Sequence, residues 1–441
     1  MARDLLQLER LSPYNEAVRL PRIASVVTPR NTSELVAAIA EARQHCRTLS
    51  ICSTGHDFEG RSLSGEVILN LNAFTGTFYN PVTMRLTVGG ATRVAAINDT
   101  LRPHDRAIST GTNQDVGIAG LAMGGGAAYT SRSRGLTCDA LVEVELVTWG
   151  GEVLRLNDAS EPALMRLVRG AGGGWLGAVT TLIFETYETS PVTAFGGSWS
   201  WQPGLLGRLE QALVSAPRAL SMRVGTNITG ADCTLRITVS GQVMGGDEAL
   251  LARHLAGIPQ PADWHQRTMP YAEAMAGARH VTSGGAFRIK SRFAPRPVGT
   301  DTLEAMAAHV GNWPPTRNPD GAGFGLFAWG GAVADTPRAR SCAAGRDAHY
   351  LASFDTSWTA QESAADIARQ DRWLRDLDEL AAPHMAAGGY INFPDSDDDA
   401  FANRHLSGFA DELVAARLRC DPDGLCRQVS LYHSPAQVTP S

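Results

Sequence analysis

The first pattern with chemical potential in this 441-residue chain runs from Ile51 to Ser62 and reads Ile-Cys-Ser-Thr-Gly-His-Asp-Phe-Glu-Gly-Arg-Ser. A short apolar and β-branched run, Leu49 to Cys52, enters a turn of small residues that carries His56 at its tip. Small side chains at Ser53, Thr54 and Gly55 let successive backbone N–H groups converge on an anion such as a phosphate. A phosphate held there would lie beside an imidazole. Taken alone, the stretch reads equally well as an ordinary strand-to-loop turn.

Two further runs are rich in glycine. Residues 108 to 139 include Gly111, Gly117, Gly120, the triplet Gly124-Gly125-Gly126 and Gly135. Such density brings backbone against something flat or anionic, because a Cβ would hold the ligand away; a flexible loop is the other reading. Leu164 to Val179 sets Gly172, Gly174 and Gly177 at the spacing of a dinucleotide fingerprint. That fingerprint needs a strand before the glycines and a helix after them. Here a helical pattern precedes and the β-branched run Val179 to Phe184 follows, so NAD binding is rejected.

Taken in order, these stretches resemble the flavin loops of the berberine-bridge-enzyme-like oxidases, members of the vanillyl-alcohol-oxidase (PCMH-type) family of FAD enzymes. The resemblance is strong over 20–187, thin across the middle and moderate over 388–427. It implies that Ser53, Thr54, Gly55, Asp57 and Ser62 form the pyrophosphate loop, and that His56 is bonded covalently to the flavin 8α-methyl. It assigns Gly111, Thr112, Asn113, Gly117, Gly120 and Gly124 to the second flavin loop and Val179 to a backbone contact. Tyr390-Ile391-Asn392-Phe393-Pro394-Asp395 is similar to the family's Tyr-x-Asn-Tyr motif, with Asn392 beside the flavin. Cys420 to Arg427 is similar to its Asp-Pro-x-x-x-Phe-Arg tail.

The chain departs from the family at two places. Many relatives form a second flavin bond through a cysteine where Asn113 stands, so FAD tethered through His56 alone is expected. Many use the second tyrosine of Tyr-x-Asn-Tyr as base, and that residue is Phe393, which cannot take a proton. Gly111, small where oxygen-using members are small, favours O2 as electron acceptor.

Replacement bases come from Tyr390, which could equally be a core tyrosine, and from a strand ending near Trp358. On that strand His349, Ser353 and Asp355 would share one face, although a surface histidine and a solvated carboxylate are the alternatives. Arg288, Lys290 and Arg292 alternate along Phe287 to Phe293, and the first two could meet an anionic substrate or be exposed edge charges.

The elements that must position these residues follow from periodicity. Asn31 and Glu34 stand at capping-box spacing before a stripe at Leu35, Ile39, Ala42 and Cys46. Val67 to Leu71 and Leu86 to Val88 look like strands, and Val94, Ile97 and Leu101 form a second helical stripe. Beyond Pro191, Leu235, Ile237 and Val239 alternate with polar residues as a half-buried strand. Helical patterns cover 247–256 and 359–380, the second with Thr359 and Glu362 at capping-box spacing and an apolar stripe from Ile367 to Leu380. Strand-like pieces lie at 324–329 and 347–355. The expected class is α+β: a two-part PCMH-type FAD-binding domain, 1–189 and 385–441, with an antiparallel-sheet-plus-helices substrate domain inserted at 190–384.

Bulk properties narrow the function. A formal charge of −6 and 44% hydrophobic residues fit a globular enzyme and give no basic face for nucleic acid. No apolar segment is long enough to span a bilayer, and the acidic N-terminal stretch predicts a cytoplasmic protein. Seven scattered cysteines fit neither a zinc site nor a disulfide framework, so reduced, packed thiols and no metal are expected.

The expected activity is that of an FAD-dependent oxidase taking a hydride from a medium-sized hydroxylated, phenolic or amine metabolite, with O2 as acceptor, in secondary-metabolite biosynthesis. The alternative is a redox-neutral cyclase, isomerase or dehydratase on the same flavin scaffold.

Overall fold

The computed structural model describes residues 12–230, 233–277, 285–394, 405–406 and 408–426. Asp395, Arg427 and the acidic N-terminal stretch lie outside the described residues. Three short strands, β1 (Ser25–Val27), β2 (Leu49–Cys52) and β3 (Val67–Asn70), form a parallel sheet in the order β1-β3-β2. A second, antiparallel sheet follows the order β4-β5-β9-β7-β8. Its strands are β4 (Thr77–Asn80), β5 (Arg85–Gly89), β7 (Leu141–Thr148), β8 (Val153–Leu156) and β9 (Gly177–Glu185). The two-residue strands β6 (Arg106–Ala107) and β10 (Tyr187–Glu188) pair with each other. β10 then leads into the rest of the chain.

Helix Thr32–Gln44 starts where the capping residues predict: Asn31 Oδ1 accepts from the Glu34 N–H at 2.9 Å. Leu35, Ile39 and Ala42 are buried on its inner face. Cys46 is not part of that stripe. It lies past the helix end with φ +48 and is exposed, because the chain must reverse there into β2.

The middle of the chain builds one seven-stranded antiparallel sheet in the order β14-β11-β13-β12-β16-β17-β15. Its strands are β11 (Val192–Ser200), β12 (Leu220–Ile228), β13 (Leu235–Met244), β14 (His265–Met269), β15 (Ala286–Ala294), β16 (Ala322–Ala328) and β17 (Tyr350–Trp358). Period-2 alternation divides each strand between two faces. Val224, Leu326 and Phe354 pack on one face against helices Leu205–Ser215, Thr300–Gly311 and Ala364–Ala381. The last helix begins later than Thr359 and Glu362 suggest. The Glu362 carboxylate accepts from the Thr359 and Arg317 N–H groups, which consumes it in a turn after β17. The capping box is made instead by Ser363 and Asp366. Trp373, Leu374 and Leu377 are buried, while Leu380 is exposed and Ala381 takes the inward position.

The chain's end returns to its beginning. Leu49 donates to Leu425 O at 2.7 Å, Gly150 donates to Cys420 O at 2.9 Å, and Leu49 bridges Cys426 in parallel register. Ile391, Leu406, Leu413 and Cys420 accordingly share a core with Leu35, Leu146 and Phe184. No helix among the described residues is long and apolar enough to cross a membrane.

Candidate active site

At the end of β2 the chain bends through Ser53, Thr54 and Gly55, whose φ of +78° suits glycine. Ser53 Oγ donates to Gly90 O at 3.1 Å. Asp57 closes the bend: its carboxylate accepts from Ser62 N at 2.6 Å and Glu59 N at 3.1 Å. Asp57 thus holds the loop in shape and fixes where His56 points. The His56 ring lies 3.9 Å, centroid to centroid, from Tyr14. Burial lowers its pKa to about 4, against the opposing pull of Asp115 and Asp57, so the imidazole is neutral at neutral pH and keeps a free lone pair.

Asn15 clamps this corner. Its amide donates to Phe58 O at 2.8 Å and Phe287 O at 2.9 Å, while its carbonyl accepts from Phe287 N and Ala17 N, both at 3.0 Å. All its hydrogen-bonding capacity is used, three bonds joining the His56 loop to β15 and the fourth closing a turn at Ala17. Asn15→Ala is expected to cost about 2–3 kcal/mol by orphaning buried backbone groups; a denaturant-unfolding midpoint unchanged from wild type would rule out the clamp.

The second loop meets the first through Gly117, where a Cβ would sit 2.9 Å from Ser53 Oγ and from the Thr54 side chain. Gly111, Thr112, Asn113, Gly117 and Gly120 all line one cavity with residues 53–57 and Ser62. Asn113 folds back on its own loop, its Oδ1 accepting from Asp115 N at 2.9 Å. Gly124 is the exception. It does not line the cavity, because its missing Cβ makes room for the Asn392 amide, which does. Gly172, Gly173, Gly174 and Val179 add a third wall, with helix Pro162–Val168 before them and β9 after.

The cavity, ≈ 660 Å³, continues onto the open face of the seven-stranded sheet. Ser353 and Asp355 of β17 point into it, as their shared parity predicts. His349 does not: β17 begins at Tyr350, and His349 precedes it with an exposed side chain. Arg288 and Lys290 also miss the cavity. Phe287 and Ile289 occupy the inward positions of β15, so Arg288 turns to the helix behind and pairs with Asp371 at 3.4 Å. Arg292, of the same parity, pairs with buried Asp378 at 2.5 Å.

Asp355 is deep in the fold yet partly accessible through the cavity. Burial raises its carboxyl to about 6; Arg223 opposes that rise and Asp320 adds to it. Tyr390 also borders the cavity, but its oxygen accepts from Gly126 N and Ala127 N, both at 3.0 Å, and from Asn392 Nδ2 at 3.1 Å. Burial pushes its pKa up, with those donors pulling the other way. An oxygen so committed anchors the glycine loop to the chain's tail and is not placed to remove a proton. Phe393 closes the cavity beside Phe58, with ring centroids 5.9 Å apart.

Sequence reasoning missed Arg223, Tyr14 and Tyr129, whose hydroxyl meets Ser240 Oγ at 3.0 Å. Alternation along β12 holds a signal for Arg223; nothing local marks the other two. Among the described residues no three His, Cys, Asp or Glu side chains are grouped to hold a metal ion.

These residues fit a flavin dinucleotide. Small residues at 53–55, closed by Gly117, suit the diphosphate; glycines 111, 120 and 172–174 line the same cavity as neutral His56, and the Cβ position of Gly120 faces open space that suits a flat ring.

Comparison with known proteins agrees. Residues 23–157 match the model of an FAD binding domain. Over 442 aligned residues the chain is 23% identical to the uncharacterized FAD-linked oxidoreductase YgaK of Bacillus subtilis, covering 94% of this chain and 93% of that one. The solved structure of Physcomitrella patens BBE-like 1 shares the fold at a TM-score of 0.83, with 20% identity over 97% of this chain and 95% of that one. So does glucooligosaccharide oxidase from Acremonium strictum, whose FAD is described as 6-S-cysteinyl, 8α-N1-histidyl, at a TM-score of 0.83, 20% identity and coverage of 96% and 94%. The chain thus carries an FAD-binding domain over residues 23–157 and shares the fold of the berberine-bridge-enzyme-like and oligosaccharide oxidase structures.

Proposed function

We propose that this chain is an FAD-dependent oxidase that oxidises a medium-sized hydroxylated, phenolic or amine metabolite, passes the electrons to O2 and serves in secondary metabolism. Residues 1–189 and 385–441 hold the flavin and 190–384 the substrate. Bound flavin supplies a hydride acceptor. The observation that carries the reading is the single cavity that joins neutral His56 and the glycine loops to Asp355, a carboxylate whose pKa suits proton removal near neutrality.

Asp355 takes the substrate proton in place of the tyrosine that Phe393 replaces. His56 carries the covalent tether, and Asn113 leaves it as the only one, unlike the doubly bonded flavin of the glucooligosaccharide oxidase. Gly111 supports O2 as acceptor, being small where oxygen-using members are small; a Cβ there would already touch Ala127 O at 3.6 Å and Leu121 Cδ1 at 3.9 Å.

Acid precipitation of the purified protein is expected to leave yellow colour in the pellet, and His56→Ala to release all of it into the supernatant. A colourless wild-type pellet would refute the tether. Phe393 also favours a second reading, a redox-neutral cyclase, isomerase or dehydratase. Anaerobic mixing with substrate separates the two: bleaching of the flavin band marks oxidation, and turnover without bleaching marks the neutral reaction.

A further inference from the structure

Arg223 stands in the cavity on the open face of β12, beside β16. Its guanidinium lies 4.5 Å from the Phe327 ring centroid. Gly325 leaves space for it: a Cβ there would come within 2.7 Å of Arg223 Nε. Stacking on a ring occupies the face of a guanidinium and leaves the in-plane N–H fork open. Among the described residues the Arg223 guanidinium makes no hydrogen bond and no ion pair. Apolar Phe287, Ile289, Leu351 and Phe393 line the same cavity together with polar Asn318 and Asp320, and with Ser353 and Asp355 on β17, the strand beyond β16.

A half-buried guanidinium fork that opens into the cavity with no protein partner suits a planar oxyanion, which it can bind through two parallel N–H···O bonds. Asp355 and Asp320 both act electrostatically on this corner, and a dianion such as phosphate would stand against them. One guanidinium matches one carboxylate. We propose that Arg223 determines specificity here, and that the substrate carries a carboxylate, held by the Arg223 fork, on an apolar body of about ring size. The inference rests on the reading that this cavity is the substrate site, and it narrows the substrate class of that site.

The test is titration of the holoenzyme with cinnamate and with cinnamamide, followed by the shift of the flavin absorption band. Wild type is expected to bind the acid about tenfold or more tightly than the amide. Arg223→Gln is expected to remove that preference while leaving cinnamamide affinity and the melting temperature unchanged. Should the glutamine variant not accumulate as folded flavoprotein, Arg223→Lys replaces it, with a loss of about threefold or more for cinnamate alone, since the ammonium keeps the charge and loses the fork. Equal affinity of wild type for acid and amide, or unchanged cinnamate affinity in the variant, overturns the proposal. If the protein holds no flavin, the oxidase reading fails by itself, and the same titration read by calorimetry still decides the role of Arg223.

Discussion

Asp355→Asn is expected to lower kcat/KM by about two to four orders of magnitude, the range associated with losing a positioned general base. The amide keeps the shape and hydrogen-bonding reach of the carboxylate but cannot take a proton. The pH profile distinguishes this role from a structural one. With a carboxyl raised to about 6 by burial, wild-type kcat/KM should climb as pH rises through that value, as the base loses its proton, and level off above it. The variant should lack this limb. If Asp355→Asn retains a third of wild-type activity, or keeps the same acid limb, the base lies elsewhere in the cavity and Tyr129 becomes the next residue to replace.

Asp139→Ala is expected to destabilise the fold by about 3–5 kcal/mol, because it strands a buried guanidinium. Arg346 donates to the Asp139 carboxylate at 2.7 and 3.1 Å, and their side chains are only 7% and 9% exposed. Arg346 also donates to Val333 O and Ser341 Oγ, and the same carboxylate accepts from Leu136 N at 2.9 Å. This pair joins the end of the second glycine loop to the segment before β17. Replacing both partners with apolar residues, as in Asp139→Leu with Arg346→Met, should recover much of the loss, since it is the unpaired charge that is costly. Chemical denaturation measures both; a single variant within about 1 kcal/mol of wild type would show that water reaches the guanidinium.

The flavin side of the molecule was legible because its determinants are local. Gly55, Gly117 and the Ser53-Thr54 pair lie within short stretches whose backbone demands are written in adjacent residues, and all but one of the assigned loop residues line the cavity. Gly124 differed because its neighbour, Asn392, arrives from 268 positions further along the chain. On the substrate side, alternation placed Ser353 and Asp355 on a common face but could not locate the start of β17, and so included His349. The basic run on β15 had a clear period but no sign: nothing in Arg288, Lys290 and Arg292 tells which face of the sheet meets the helix Ala364–Ala381. Leaving both faces open there, and reading no strand at Leu220–Ile228, hid the arginine that does enter the cavity. Tyr390 was ambiguous for a related reason, since its role depends on the Gly126 and Ala127 amides far away in sequence.

The hydrogen bond from Leu49 to Leu425 gives the polypeptide a temporal order. During vectorial synthesis the edge of β2, the strand that leads to His56, stays open until residue 425 has left the ribosome. The seven-stranded sheet, whose strands all lie between residues 192 and 358, can collapse before that edge is sealed. Chains interrupted before residue 425 would be left with an unfinished sheet border open to pairing with other molecules.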